Sequence, residues 1–139
     1  MSHKSAFVNI VGSPNVGKST LMNGLVGEKL SIVTSKAQTT RHRIHGLVNG
    51  DDHQIVFSDT PGVVNSSYKL HDAMMSYVES SFKDADILLF ITDMSENEMN
   101  HKETLERIIK LRIPVLLILT ITAGQMLSLI WLKCFAAKA

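Results

Sequence analysis

The chain is short of several things, and each shortage closes off a class of explanation. Cys134 is its only cysteine, so no disulfide can form within the chain and a disulfide-stapled fold is excluded. The formal net charge is only +1, too little for the whole-chain basic field that would hold nucleic acid by itself. The opening MSHKSAF carries no long apolar stretch of the secretory kind, so a cytoplasmic setting is expected. Repeats are not apparent. Acidic residues stop at Glu106, and residues 113–132 carry no charge at all. Residues 1–112 are net −1, so this asymmetry belongs to the C-terminal end alone.

What is present fits one globular domain. At 139 residues, 45% hydrophobic and 19% charged, the chain is large enough to bury a core and too apolar for general disorder. Residues 6–12, AFVNIVG, are a short apolar run rich in β-branched residues that stops at glycine, as a buried strand does. A helix is expected from Lys18, with Leu21, Met22, Leu25 and Val26 on one face. Residues 28–43 have little periodicity and read as a long loop. Strands are expected near residues 44–48 and 54–58, around the turn Asn49, Gly50, Asp51. Leu70, Met74, Val78 and Phe82 recur every four residues, the stripe of a helix lying on a sheet. Residues 87–92 predict another strand, Leu105, Ile108 and Ile109 a further helix, and residues 115–119 the last clear strand. This alternation predicts an α/β fold, with a mainly parallel sheet between two helical layers.

The segment GSPNVGKST fits G-x-x-x-x-G-K-[ST] and sits where that pattern requires, after a strand and before a helix. Its residues are Gly12, Ser13, Pro14, Asn15, Val16, Gly17, Lys18, Ser19 and Thr20. Gly12 and Gly17 let the backbone curl until successive N–H groups and the helix N-terminus face one polyphosphate. Lys18 adds a positive charge near the β and γ phosphates, and the Ser19 hydroxyl takes one position on Mg²⁺.

Asp59, Thr60, Pro61 and Gly62 follow a predicted strand, which places the Asp59 carboxylate at a strand's carboxyl end, where it can hold Mg²⁺ through water. Gly62 can give its N–H to a γ phosphate, a contact that hydrolysis removes. In KAQTTRHR, residues 36–43, either Thr39 or Thr40 can supply a second hydroxyl to Mg²⁺.

Taken together, GSPNVGKSTLMN, SKAQTTRHRI and FSDTPGV resemble the GTPase domain of the Era-like family of bacterial ribosome-assembly GTPases, over roughly residues 5–119. The resemblance implies a P-loop NTPase fold, GTP and GDP as ligands, and Thr40 as the Mg²⁺ ligand of the threonine pair. It makes Lys18, Thr40 and Gly62 the catalytic set, and Asn15 the residue that holds K⁺ against the phosphates. It also implies a link to ribosomal RNA or the small ribosomal subunit, although no RNA-binding KH domain is recognisable in this sequence. Val63 stands where Ras-like GTPases carry a water-orienting glutamine, so slow hydrolysis that relies on cations and backbone is expected.

The likeness ends at Leu119. An N-K-x-D motif, whose aspartate reads guanine, is expected next, and the chain has Thr120, Ile121, Thr122 and Ala123. Two lost hydrogen bonds to a charged group, about 1.5 to 3 kcal/mol each, weaken guanine discrimination by roughly two to four orders of magnitude. Residues 1–119 therefore read as a P-loop GTPase-type domain that lacks the guanine-reading motif and the family's last strand and helix. Residues 120–139 read as an apolar tail unlike the family, as a truncated or frame-shifted end would be. Two further readings follow. One is a weakly base-selective or non-hydrolysing nucleotide-binding fragment. The other is a membrane-anchored P-loop protein, since residues 113–132 are long enough to span or to associate peripherally. Against spanning, residues 115–119 are claimed by the sheet, which leaves a covering helix or loose tail beyond them.

Overall fold

A computed structural model describes residues 3–31, 33, 40–63, 69–94, 102–123 and 126–135. The order of elements is β1 (Lys4–Gly12), α1 (Lys18–Val26), β2 (Ile44–Asn49), β3 (His53–Asp59), α2 (Lys69–Asp84), β4 (Ile87–Asp93), α3 (Lys102–Lys110), β5 (Val115–Ala123) and β6 (Met126–Phe135). The six strands form one sheet in the order β2-β3-β1-β4-β5-β6. β1, β3, β4 and β5 run parallel, and the two edge strands, β2 and β6, are antiparallel to their neighbours.

The layers follow from alternation along the central strands, because successive side chains point to opposite faces. Val8 and Ile10 of β1, with Leu89 and Ile91 of β4, pack with Val16, Met22, Phe57 and Ile118 beneath α1. Val11 of β1, with Leu88 and Phe90 of β4, packs with Val78, Ala85, Ile108 and Val115 beneath α2 and α3. The expected α/β architecture with a mainly parallel, doubly covered sheet is what the chain adopts. Two helix stripes are narrower than the sequence implies. On α2, Met74 and Val78 are buried but Leu70 is half exposed, so the first turn stands off the sheet. On α3 the inward face is Thr104 and Ile108, which leaves Leu105 and Ile109 toward solvent.

The C-terminal end departs furthest from expectation. β5 continues four residues past Leu119, and β6 pairs back on it, Leu119 opposite Ile130 and Ala123 opposite Met126. The covering helix or loose tail is replaced by an antiparallel strand, because an uncharged run with β-branched residues satisfies its backbone in a ladder. Only two residues separate β5 from β6, and a parallel neighbour needs a crossover of about a dozen residues or more. The less favoured reading of a spanning helix finds no support: among the described residues no helix is long and apolar enough to cross a membrane.

Candidate functional site

The parallel strands bring their carboxyl ends to one edge of the sheet. β1 leads through α1 toward the β2–β3 side, whereas β3 leads through α2 across β1 to β4, so the two connections diverge and open a crevice at the end of β1, the place where such sheets bind ligands. Gly12 closes β1 there. A Cβ at Gly12 would run into the carbonyl oxygen of Ile91, so only glycine lets this strand end flush against β4. The loop then turns through two left-handed positions, Asn15 at φ 61° and Gly17 at φ 102°. Val16 between them is buried in the core and anchors the loop from below.

Lys18 is only 6% exposed, and its Nζ donates to the Ser13 carbonyl at 2.5 Å. The ammonium is thus folded back across the loop it follows, largely out of water, where an anionic ligand interacts with it most strongly. Ser13 is buried with it, Pro14 and Thr20 are half-buried, and Asn15 faces solvent.

Three side chains from distant segments meet beside the loop. Ser19 Oγ donates to Asp59 Oδ2 at 2.6 Å, lies 3.1 Å from Thr40 Oγ1, and Thr40 Oγ1 reaches the same carboxylate oxygen at 3.4 Å. Asp59 is fully buried and Thr40 is 9% exposed. The other carboxylate oxygen, Asp59 Oδ1, is buried and accepts no hydrogen bond within the described residues. A buried, unpartnered carboxylate oxygen among hydroxyls is a hard-oxygen donor set, the kind suited to Mg²⁺. Thr40 is the threonine of the pair that is seen here; Thr39 lies outside the described residues.

The second switch segment leans on the loop. Thr60 Oγ1 donates to the Ile10 carbonyl at 2.7 Å, Pro61 is fully buried, and the Val63 N–H donates to the Gly12 carbonyl at 2.9 Å. A Cβ at Gly62 would come within 2.6 Å of the Pro14 nitrogen, so the close approach itself requires glycine. The Val63 side chain packs toward the core under α2, which leaves nothing at that position to orient water.

The opposite end of the crevice is built differently. Thr120 is 1% exposed, and its Oγ1 lies 2.9 Å from the Val16 carbonyl and 3.2 Å from the Thr92 carbonyl, so one hydroxyl proton ties β5 to the phosphate loop. Ile121, Thr122 and Ala123 continue as paired strand, opposite Ser128, Leu127 and Met126. Sequence reasoning missed the role of Thr120, and also that of Asn9 and Arg43, which join a partly buried polar cluster with Ser58 and Asp84. Asn9, a polar residue inside the apolar run AFVNIVG, was the one available signal. Burial raises the Asp84 carboxyl, but hydrogen bonds from Arg43 and Asn9 and the Arg43 charge outweigh it, and the net direction is down. His45 is lowered, first by burial and then by the Arg43 charge, against a smaller raising effect of Asp84.

Residues 7–121 match the family described as 50S ribosome-binding GTPase. The chain belongs to that family. It is Era-like within it: GTPase Era of Clostridium beijerinckii is 48% identical over 117 residues, which are 84% of this chain and 39% of the relative. Aquifex aeolicus Era bound to GDP·AlF4⁻ superposes with a TM-score of 0.77 at 39% identity, covering 82% of this chain and 40% of that one. Era in complex with MgGDPNP and a 16S ribosomal RNA segment also gives 0.77 at 39% identity, covering 83% and 40%. The chain thus spans about 40% of the length of the Era proteins it matches.

Proposed function

We propose that this chain is an Era-like switch GTPase domain that binds GTP together with Mg²⁺ and hydrolyses it slowly. The observation that carries the reading is the convergence of Ser19, Thr40 and Asp59 beside the phosphate loop, with Asp59 Oδ1 buried and unpartnered among the described residues. In this reading residues 12–20 cradle the phosphates with backbone N–H groups, Lys18 supplies the fixed positive charge, and Gly62 presents its N–H to the γ phosphate. Ser19 and Thr40 would hold Mg²⁺ through their hydroxyls, and Asp59 through its carboxylate. When bound, Mg²⁺ supplies charge neutralisation across the β and γ phosphates. Asn15 is proposed to hold K⁺ against them, and equal turnover in Na⁺ and K⁺ buffers would remove that part. A cytoplasmic setting and a link to the small ribosomal subunit rest on the Era comparison, in which a solved complex contains 16S RNA.

A second reading, weakly base-selective nucleotide binding with little turnover, is favoured by one observation: the stretch expected to read guanine is paired strand. Calorimetry with GTP, GDP and ATP, using Lys18→Ala as control, separates the two. Tight, guanine-selective binding with measurable phosphate release supports the first. Similar, weak affinities for GTP and ATP without turnover support the second, and no binding to either nucleotide removes both.

A further inference from the structure

Arg43 follows Thr40 by three residues and immediately precedes β2, whose first residue, Ile44, pairs with Asp59. Its side chain is 9% exposed, and each guanidinium nitrogen is hydrogen-bonded. Nε donates to Ser58 Oγ at 2.5 Å, and Nη2 donates to Asn9 Oδ1 at 3.0 Å and to Asp84 Oδ1 at 2.8 Å. Nη1 donates to Asp84 Oδ2 at 2.5 Å. Asn9 is held in turn, since its Nδ2 donates to the Ser81 carbonyl and to Asp84 Oδ1. One planar fork therefore joins β1, β3, the end of α2 and the segment that carries Thr40. Ser58, which it grips, is the neighbour of Asp59.

We infer that Arg43 is the positioning residue for Thr40: fixed on Asn9, Ser58 and Asp84, it sets where the chain enters β2 and so holds the Thr40 hydroxyl against Asp59. This rests on the reading of Ser19, Thr40 and Asp59 as the Mg²⁺ site. A lysine keeps the charge but has no fork and cannot serve three acceptors in fixed directions. Neighbouring Arg41 and His42 do not share the duty. Arg41 is exposed, and His42 meets only Tyr77, edge to face at 5.7 Å between ring centroids, among the contacts described.

The test is a titration of Mg²⁺ into full chain plus GTP, for wild type, Arg43→Lys, Thr40→Ala and the double variant, with GDP binding in EDTA alongside. Arg43→Lys is expected to raise the Mg²⁺ concentration for half-maximal GTP binding about tenfold, while EDTA–GDP affinity stays within about twofold. In the Thr40→Ala background the same substitution should add little, since both act through one hydroxyl. The inference is overturned by an unchanged Mg²⁺ requirement, by equal weakening of GTP and EDTA–GDP, or by an undiminished effect without Thr40. If Arg43→Lys does not fold, Asp84→Asn decides: a shift of about threefold in the same direction upholds the inference and no shift overturns it. A wild type whose GTP binding ignores Mg²⁺ would instead remove the metal-site reading itself.

Discussion

The two ends of the crevice make opposite use of the same sheet. At the phosphate end, recognition is assembled from backbone that has nowhere else to go: Gly12 pressed on Ile91, Gly62 pressed on Pro14, and left-handed turns at Asn15 and Gly17. Few side chains are needed, and of these Lys18, Thr40 and Asp59 are buried. At the base end β5 and β6 carry no carboxylate, and their backbone is committed to the ladder they share. On the proposed function, polyphosphate binding can therefore be complete in a fold whose base reading is not. The two are joined physically by Thr120, which belongs to the base end by position and to the phosphate end by its hydrogen bond.

The largest effect expected is at Lys18. Lys18→Ala removes the one buried ammonium of the loop, and with two charge-assisted hydrogen bonds lost, GTP affinity should fall about a hundredfold or more. Calorimetry with GTP and with inorganic triphosphate checks this, and the two losses should match if the lysine serves phosphate alone. At the other end, Thr120→Asn with Ile121→Lys and Ala123→Asp writes the guanine-reading motif into the chain. The ratio of GTP to ATP affinity should then rise about tenfold or more if β5 can release from β6, and stay flat if the ladder holds. Competitive displacement of a fluorescent nucleotide measures the ratio.

Smaller effects probe the tie between the ends. Thr120→Val keeps shape but leaves the buried Val16 carbonyl short of its donor, at about 1 to 3 kcal/mol. Thermal unfolding should show a drop of several degrees, with phosphate affinity falling and base preference unmoved. The smallest effect lies at Asp84. Its folded carboxyl titrates below the ordinary value, so its contribution is full above the unfolded pKa of about 3.9 and disappears as pH falls through the folded one. Urea unfolding of wild type and Asp84→Asn should show a stability difference at neutral pH that narrows below about pH 4. A constant gap down to pH 3 would mean the Arg43 pairing contributes nothing through charge.

Much of the phosphate end was legible because its signals are local. The strand, loop and helix around Gly12 and Lys18 lie within one stretch, and the strands flanking Asn49 to Asp51 were placed to within a residue or two at each end. What stayed hidden depends on partners far along the chain. Leu105 and Ile109 have the right spacing for a buried face, yet Thr104 and Ile108 point inward, because the choice of face is made by β4 and β5 rather than by the helix. Arg41 and Arg43 are equivalent in sequence; Asn9, Ser58 and Asp84, each more than ten residues away, distinguish them. The tail's apolar run suits a helix, a spanning segment or a strand, and the open edge of β5 decided for the strand.

The proposed function requires that Ser19, Thr40 and Asp59 form a working cation site beside the phosphate loop. Its most direct test is a GTP titration in Mg²⁺ and again in EDTA, for wild type and Asp59→Asn. Saturable binding that tightens about tenfold or more with Mg²⁺, and a variant that binds weakly and equally in both buffers, is the result predicted. Absence of GTP binding, or a Mg²⁺ effect that Asp59→Asn leaves intact, would contradict it.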